Sequence, residues 1–416
     1  MSNVKTAMVI GGGIGGLVTA LKLNRVGVSV RVFESVETIK ELGVGINLLP
    51  HAVRVLTELG LGDELKKTGI PTAELIYVNK FGKQIWQEDR GIHAGYRWPQ
   101  YSIHRGKLQM MLLKAVKEQL GESAIVTGHH LASFHDFADR VTAEFVNKKT
   151  GERLRSYSAD IMIAADGIHS VVRKFYYPDE GQPKFSGRIL WRGITESAPF
   201  LTGKSMIMAG HQDQKFVAYP ICPDTASKGR SLINWIAELT VGGELPSRAD
   251  WNLAVDKEKF LPQFEKWDFG WLNVPQIIEN AADIFEFPMV DRDPLPQWTF
   301  GRVTLLGDAA HPMYPIGSNG ASQAILDADA LGESIGKYEN PEVALKSYEQ
   351  IRLEPTAKIV YANRKNGPEE VMQIVEERAP NGFENLSDVI TQQELENIAN
   401  KYKQVAGFDK ETLNNK

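Results

Sequence analysis

The sequence predicts an α/β fold: a mostly parallel sheet flanked by helices, interrupted by an antiparallel sheet and followed by a helical tail. Three observations predict it. The chain opens with an apolar run, a glycine turn and a helical stretch; two later apolar runs end in Asp166-Gly167 and Gly307-Asp308. Between those two runs, residues 181–290 change to short alternating stretches rich in Trp, Tyr and Phe. Buried parallel strands read as continuous apolar runs and antiparallel ones alternate, so the two regions belong to different sheets.

The first unit runs Thr6-Ala7-Met8-Val9-Ile10, then Gly11-Gly12-Gly13-Ile14-Gly15-Gly16, then Leu17, Ala20, Leu21 and Leu23 at helical spacing. Gly27 ends the helix, and a second strand closes on Glu34. Each glycine has a physical task in holding a dinucleotide. Gly11 permits the tight turn, Gly13 lets the backbone approach a pyrophosphate, and Gly16 lets the helix pack closely on the sheet. The free N–H groups at the helix start face the phosphates. Glu34 stands where a carboxylate accepts hydrogen bonds from the ribose hydroxyls. The motif does not separate FAD from NAD, but Glu34 repels a 2′-phosphate.

Composition excludes several function classes. A chain of 416 residues holds two domains or more. The net charge of −5 gives no electrostatic reason to expect nucleic acid or an anionic membrane. Cys222 is the only cysteine, which excludes an internal disulfide and suits a cytoplasmic protein. Neither a cleavable signal peptide nor a membrane span is expected, since glycines fill the N-terminal apolar segment and no run approaches about 20 apolar residues.

In chain order, residues 41–50 read as a glycine-punctuated loop and residues 51–59 as a helix with Ala52, Val55, Leu56 and Leu59 on one face. Residues 72–90 read as a hairpin about Asn79-Lys80-Phe81-Gly82. Arg105 starts a helix, where a cation is unfavourably placed unless an anionic partner is near. Asp166 falls at a strand's carboxyl end, the position at which open α/β sheets bind ligands. Within 181–290, strands are expected at 189–194, 205–208, 216–221, 232–239 and 284–290, with one helix near 257–266. A further buried strand leads to Asp308, and a helix begins near 317–321 with Ala324, Ile325, Ala328 and Leu331 inside. The division is then 1–71, 99–180 and 291–365 for the nucleotide domain, 72–98 and 181–290 for the inserted sheet, and 366–416 for the tail. The tail is free to cover the sheet or to pack on a second subunit, making a monomer or a homodimer.

Taken together, Gly11 to Gly16 with Glu34, residues 160–167 with Arg173, and Gly307-Asp308 with Ala309-Ala310-His311-Pro312 resemble the class A flavin-dependent aromatic monooxygenases. That group includes para-hydroxybenzoate hydroxylase and salicylate hydroxylase, and the resemblance covers roughly residues 5–365. Tyr101-Ser102-Ile103-His104-Arg105, Trp191-Arg192-Gly193 and residues 289–294 are most similar to the 5-methylphenazine-1-carboxylate 1-monooxygenases. The resemblance implies a Rossmann-like FAD-binding domain of the glutathione-reductase type with an inserted substrate sheet. It implies FAD contacts from Gly11, Gly13, Ile14, Gly15, Gly16 and Gly45. Glu34 would hold the adenosine ribose, Arg105 the FAD chain, Asp166 the pyrophosphate region and Asp308 the ribityl chain. Pro315, Gly317, Asn319, Gly320 and Ala321 would face the pyrimidine side of the flavin. There the helix N-terminus stabilises negative charge that develops on reduction. His311 is expected to be structural or to position the flavin, and Arg192 to be structural, with a clamp on a substrate carboxylate left open.

The implied reaction uses NADPH or NADH to reduce FAD, and a flavin C4a-hydroperoxide delivers oxygen to an aromatic carbon. Tyr219 and Asn47 are the expected substrate-facing residues. Several relatives carry a histidine base in the loop that here holds Asn47, and an amide takes no proton at neutral pH. A ring already activated by nitrogen or by an ionised substituent is therefore expected, a fused N-heteroaromatic ahead of a simple phenol, with loss of a carboxylate open. Trp191, Phe216, Tyr219, Trp235, Phe285 and Phe287 offer aromatic surface for its pocket, and alternation turns about half of them inward. Two other readings stay open at this point: a flavin oxidase or dehydrogenase without oxygen insertion, and a regulatory protein that binds a dinucleotide without chemistry.

Overall fold

The computed structural model describes residues 3–41, 43–245 and 253–415. Its organising sheet has six strands, in the order Thr299–Phe300, Val303–Leu305, Ile161–Ala164, Thr6–Ile10, Ser29–Phe33, Ile125–Val126. Every pairing is parallel except the first. Val9 pairs with Val32 on one side and Ile163 on the other, and all three are fully buried. The helix Ile14–Arg25 packs against the helices Arg105–Leu120 and Gly320–Lys337. Helices on the sheet explain why its strands are apolar throughout instead of alternating.

The second large sheet has eight strands, in the order Leu253–Ala254, Ile284–Asp291, Lys184–Ser197, Ser231–Thr240, Gln214–Pro220, Ser205–His211, Glu74–Val78, Gln84–Asp89. The predicted hairpin about residues 79–82 joins this sheet, its first strand running parallel to Ser205–His211. Alternation gives the sheet two different faces. Trp191, Phe216 and Trp235 point to one side, where they meet Phe260, Phe264 and Trp267 in a sealed core. Met206, Met208, Val217 and Tyr219 point to the other, toward Val371, Met372, Val375 and Leu395 of the tail.

The structure corrects two expectations. Residues 41–50 are not all loop: Gly45–Leu48 is a strand paired antiparallel with Tyr101–His104. The helix expected near 257–266 is two 3-10 turns, Lys257–Lys259 and Leu261–Phe264. Pro262 lacks a backbone donor and its ring clashes with the preceding turn, so a continuous α-helix does not run through 257–266. The α-helix of this region is Val274–Glu279, capped by the Asn273 side chain accepting from the Gln276 N–H. The tail folds onto the chain's own eight-stranded sheet. Its helices are Glu370–Arg378, Gln392–Val405 and Lys410–Asn414, and a Thr391/Glu394 capping box starts the second. Among the described residues, no helix is long and apolar enough to cross a membrane, and no group of three or more acidic, His or Cys side chains could hold a metal ion.

Candidate active site

Two cavities meet where the first strand gives way to its helix. One, of about 380 Å³, lies between the six-stranded sheet and the eight-stranded one; the other, of about 290 Å³, lies beside Glu34. Gly13, Ala165 and Gly167 line both. Among the glycines, the structure assigns separate tasks. A Cβ on Gly16 would run into the Gly11 carbonyl, and one on Gly11 into the Ala165 carbonyl, so both are fixed by backbone packing. A Cβ on Gly13 would meet nothing, because Gly13 borders open space shared by the two cavities. Ile14 and Gly15 continue that wall.

At the smaller cavity, Glu34 accepts from the Gly12 N–H at 2.8 Å and the Val36 N–H at 3.0 Å, which fixes its carboxylate on the rim. Asp166 accepts from the Val171 N–H at 2.9 Å through one oxygen, while its other oxygen has no hydrogen-bond partner among the described residues. Burial pushes its carboxyl up to about 6. An orphaned carboxylate oxygen beside an open backbone cradle is what a hydroxyl-bearing ligand would satisfy.

The larger cavity carries most of the other expected residues. Arg105 and Asp308 both face it, and desolvation beneath the cavity raises the Asp308 carboxyl although the Arg105 guanidinium opposes this. The helix Gly320–Lys337 starts at Asn319 with no side-chain cap, as Ile14–Arg25 starts at Gly13 with none. Asn319, Gly320 and Ala321 line the cavity together with Pro315. Two uncapped helix starts thus aim unsatisfied N–H groups into one space, the arrangement that binds phosphates and electron-rich ring atoms. These donors, the orphaned Asp166 oxygen and the open cradle at Gly13 fit an elongated dinucleotide such as FAD. Gly317 departs from expectation. It lines a separate small void, and its φ of +66° leaves no room for a Cβ against the Tyr402 ring of the tail.

Asn47 and Tyr219 share the larger cavity, as expected, but both are tied down. Asn47 accepts from the Ser102 hydroxyl at 2.6 Å and turns its amide toward Ser318 Oγ, 3.5 Å away. The Tyr219 hydroxyl donates to the Gly45 carbonyl at 2.9 Å, and burial pushes its pKa up to about 12. Arg192 donates to the same carbonyl at 2.8 Å, and the Gly45 N–H donates to Asn234 Oδ1 at 2.6 Å. Gly45 is therefore pinned by its backbone to three strands of the eight-stranded sheet, and a Cβ there would collide with Asn234. Of the six aromatic side chains expected at the pocket, Tyr219 alone lines this cavity. Trp191, Phe216 and Trp235 fall on the opposite phase of their strands and belong to the sealed core. Methionines take their place: Met206, Met208, Met289 and Met313.

His311 stays out of the cavity. Its Nε2 lies 2.6 Å from Asp327, which also accepts from the Gly307 N–H at 3.0 Å and Arg352 Nε at 2.7 Å. Burial would push the Asp327 carboxyl up, but His311 and Arg352 hold it at about 2. Asp327 and Arg352, which sequence reasoning missed, thereby brace the backbone that presents Asp308. Arg173 does the same from the other side, donating to the Ala309 and Ala310 carbonyls at 3.1 and 2.8 Å.

A family described as the FAD binding domain matches residues 4–363. The chain belongs to this family, within it to the class A flavin monooxygenases, and is an FAD-dependent aromatic hydroxylase that uses NAD(P)H and O2. It is similar to phenazine 1,6-dicarboxylic acid hydroxylase PhzS of Lysobacter antibioticus, with 45% identity over 360 residues, 86% of this chain and 88% of that one. It is 30% identical to 3-hydroxybenzoate 6-hydroxylase 1 of Aquipseudomonas alcaligenes over 362 residues, 85% of this chain and 86% of that one. Among solved structures, a salicylate hydroxylase substrate complex shares the fold with a TM-score of 0.75 at 24% identity, covering 99% of this chain and 98% of that one.

Proposed function

We propose that this hydroxylase acts on a fused, nitrogen-containing aromatic acid of the phenazine kind, with FAD laid from Glu34 past Gly13 to residues 318–321. The observation that carries the reading is the cavity wall around Asn47 and Tyr219. Asn47 is an amide, the Tyr219 proton is committed to the Gly45 carbonyl, and Arg192 is a cation, so none of the three takes a proton from substrate at neutral pH. A substrate that needs no deprotonation in the site, or whose activating substituent arrives already ionised, requires no such base. The 45% identity to a phenazine dicarboxylic acid hydroxylase supports the same class.

Bound FAD supplies the redox and oxygen-activating chemistry. The chain's residues position and shield it. In this reading Glu34 holds the adenosine ribose, Asp166 and Arg105 the central chain, and Asp308 the ribityl hydroxyls. The N–H groups of residues 319–321 stabilise charge on the flavin's pyrimidine side. Gly317 is reassigned to tail docking. Tyr219 and Asn47 orient the substrate ring, and Met206, Met208, Leu190 and Ile236 exclude water from it. The segments 1–71, 99–180 and 291–365 act as the cofactor unit, 72–98 and 181–290 as the substrate unit, and 366–416 as its cover. The enzyme works in the cytoplasm as a monomer or homodimer, the lone Cys222 being free and buried.

Titration of the FAD-loaded protein with phenazine-1-carboxylate, quinoline, salicylate and para-hydroxybenzoate, read by the flavin absorbance, tests the substrate class. The fused rings are expected to perturb the spectrum at lower concentration than the single rings. Tighter binding and coupled hydroxylation of the single-ring acids alone would overturn it.

A further inference from the structure

Three neighbouring strands lay down the cavity floor, and their register sorts it into rows. Tyr219 pairs with Asn234 in the row next to Gly45. Val217, Ile236 and Arg192 pair in the second row, and Lys215, Glu238 and Leu190 in the third. Lys215 lies four residues along the strand from Tyr219, about 13 Å at the usual rise per residue. The floor is thus polar at both ends, with Val217 and Ile236 between them and Arg192 drawn to the Gly45 carbonyl, and its length suits a fused ring system better than a single ring.

The far row is charged. Lys215 Nζ lies 2.9 Å from Glu238 and 2.6 Å from Glu369, and Arg188 lies 3.0 Å from the other oxygen of Glu238. Lys215, Glu238 and Glu369 all line the cavity, and all four side chains are less than a tenth exposed. Glu369 comes from the tail, where it precedes the helix Glu370–Arg378. A buried ion cluster adds little net stability over apolar side chains of the same size. Its place on a cavity wall points to a ligand. An ammonium has three donors, and two carboxylates occupy two of them.

We propose that Lys215 is a specificity-determining residue that binds a carboxylate at the far end of the substrate, while Glu369 of the tail, a competing anion, sets how tightly. The inference rests on the fused-ring reading above and adds to it the residue that selects for the acid group. Glu238 divides its two oxygens between Arg188 and Lys215, so the third Lys215 donor is left for the incoming carboxylate while Glu369 competes for the same charge.

The test compares phenazine with phenazine-1-carboxylate and phenazine-1,6-dicarboxylate, each titrated into FAD-loaded protein and followed by flavin absorbance. Lys215→Met should weaken binding of the carboxylates by about tenfold or more, the scale of a lost charge-assisted hydrogen bond, and leave phenazine within about threefold. Glu369→Gln keeps a hydrogen bond to Lys215 but removes a negative charge, and should tighten the carboxylates several-fold. A role confined to docking the tail predicts the opposite, with both variants weakening all three ligands alike. Equal losses across the ligands for Lys215→Met, or weaker carboxylate binding in Glu369→Gln, would overturn the proposal. If wild-type protein that retains FAD responds to none of the three fused rings, the substrate reading itself fails, and this inference with it.

Discussion

The two faces of the eight-stranded sheet are made by the same strands, yet one is sealed and the other hollow. On the sealed face Trp191 stacks on Phe260 with ring centres 4.6 Å apart, and its indole N–H donates to Glu286 at 2.9 Å. Trp235 donates to the Thr195 hydroxyl at 3.0 Å. Both indole donors are satisfied, as buried polar groups usually are. On the hollow face Arg192 Nε and the amide nitrogen of Asn234 are buried with no partner among the described residues, and methionines replace aromatics. Stability is concentrated on one face. Unsatisfied hydrogen-bonding capacity and adaptable side chains are concentrated on the other, where a ligand must enter.

That contrast is broken most sharply by substitution on each face. Trp235→Ala should destabilise the fold by about 3–5 kcal/mol, the usual loss for a large aromatic removed from a packed core. Met208→Ala, a buried side chain that also borders the cavity, should cost less, about 2 kcal/mol at the low end for a buried methionine, while altering ligand affinity. Urea unfolding of both variants checks this. Equal losses would mean that the cavity face is packed as tightly as the core.

A second substitution asks whether the hollow region belongs to the cofactor. Asp308→Ala should weaken FAD binding by about 1–3 kcal/mol, the loss when a polar partner is removed from a buried contact. Unchanged affinity in an FAD titration of the apoprotein would remove Asp308 from the site.

The smallest expected effect concerns the cost of an orphaned carboxylate. Folding raises the Asp166 carboxyl from an ordinary value near 4 to about 6, so the folded apoprotein holds its proton more tightly than the unfolded chain. The contribution of this group to stability is therefore lost as pH rises from about 4 to 6. Apoprotein with Asp166→Asn should be more stable than wild type at pH 7 by about 1 kcal/mol, after allowance for partial solvent access, and equal to it below pH 4. Thermal unfolding across that pH range provides the check, and an advantage that persists at pH 3 would contradict this sign.

The nucleotide half was largely legible in the sequence because its signals are local. Gly11, Gly13, Gly16 and Glu34 act within one strand–turn–helix–strand unit, and the acids at 166 and 308 follow directly on apolar runs. The strand at Gly45–Leu48 was not legible, since its partner Tyr101–His104 lies over fifty residues away and its glycines disguise it. The cavity floor was half legible. Alternation alone puts Lys215 in phase with Val217 and Tyr219, and Glu238 in phase with Ile236, a signal that attention to aromatic residues passed over. Glu369, Tyr402 and the fate of Gly317 depend on how the tail docks. Tyr402 receives a hydrogen bond from Asn319 at 2.7 Å and donates to Asn363 at 2.8 Å, contacts that no local pattern announces.

The central claim is that a fused, nitrogen-containing aromatic acid lies on the hollow face and receives one oxygen atom there. Mass spectrometry of the product formed from phenazine-1-carboxylate under labelled dioxygen, with NADPH or NADH consumption measured in parallel, tests it most directly. The account predicts a hydroxylated phenazine carrying one labelled atom for each nicotinamide oxidised. Nicotinamide oxidation that yields only hydrogen peroxide with this acid, while salicylate or para-hydroxybenzoate takes up the label, would contradict it.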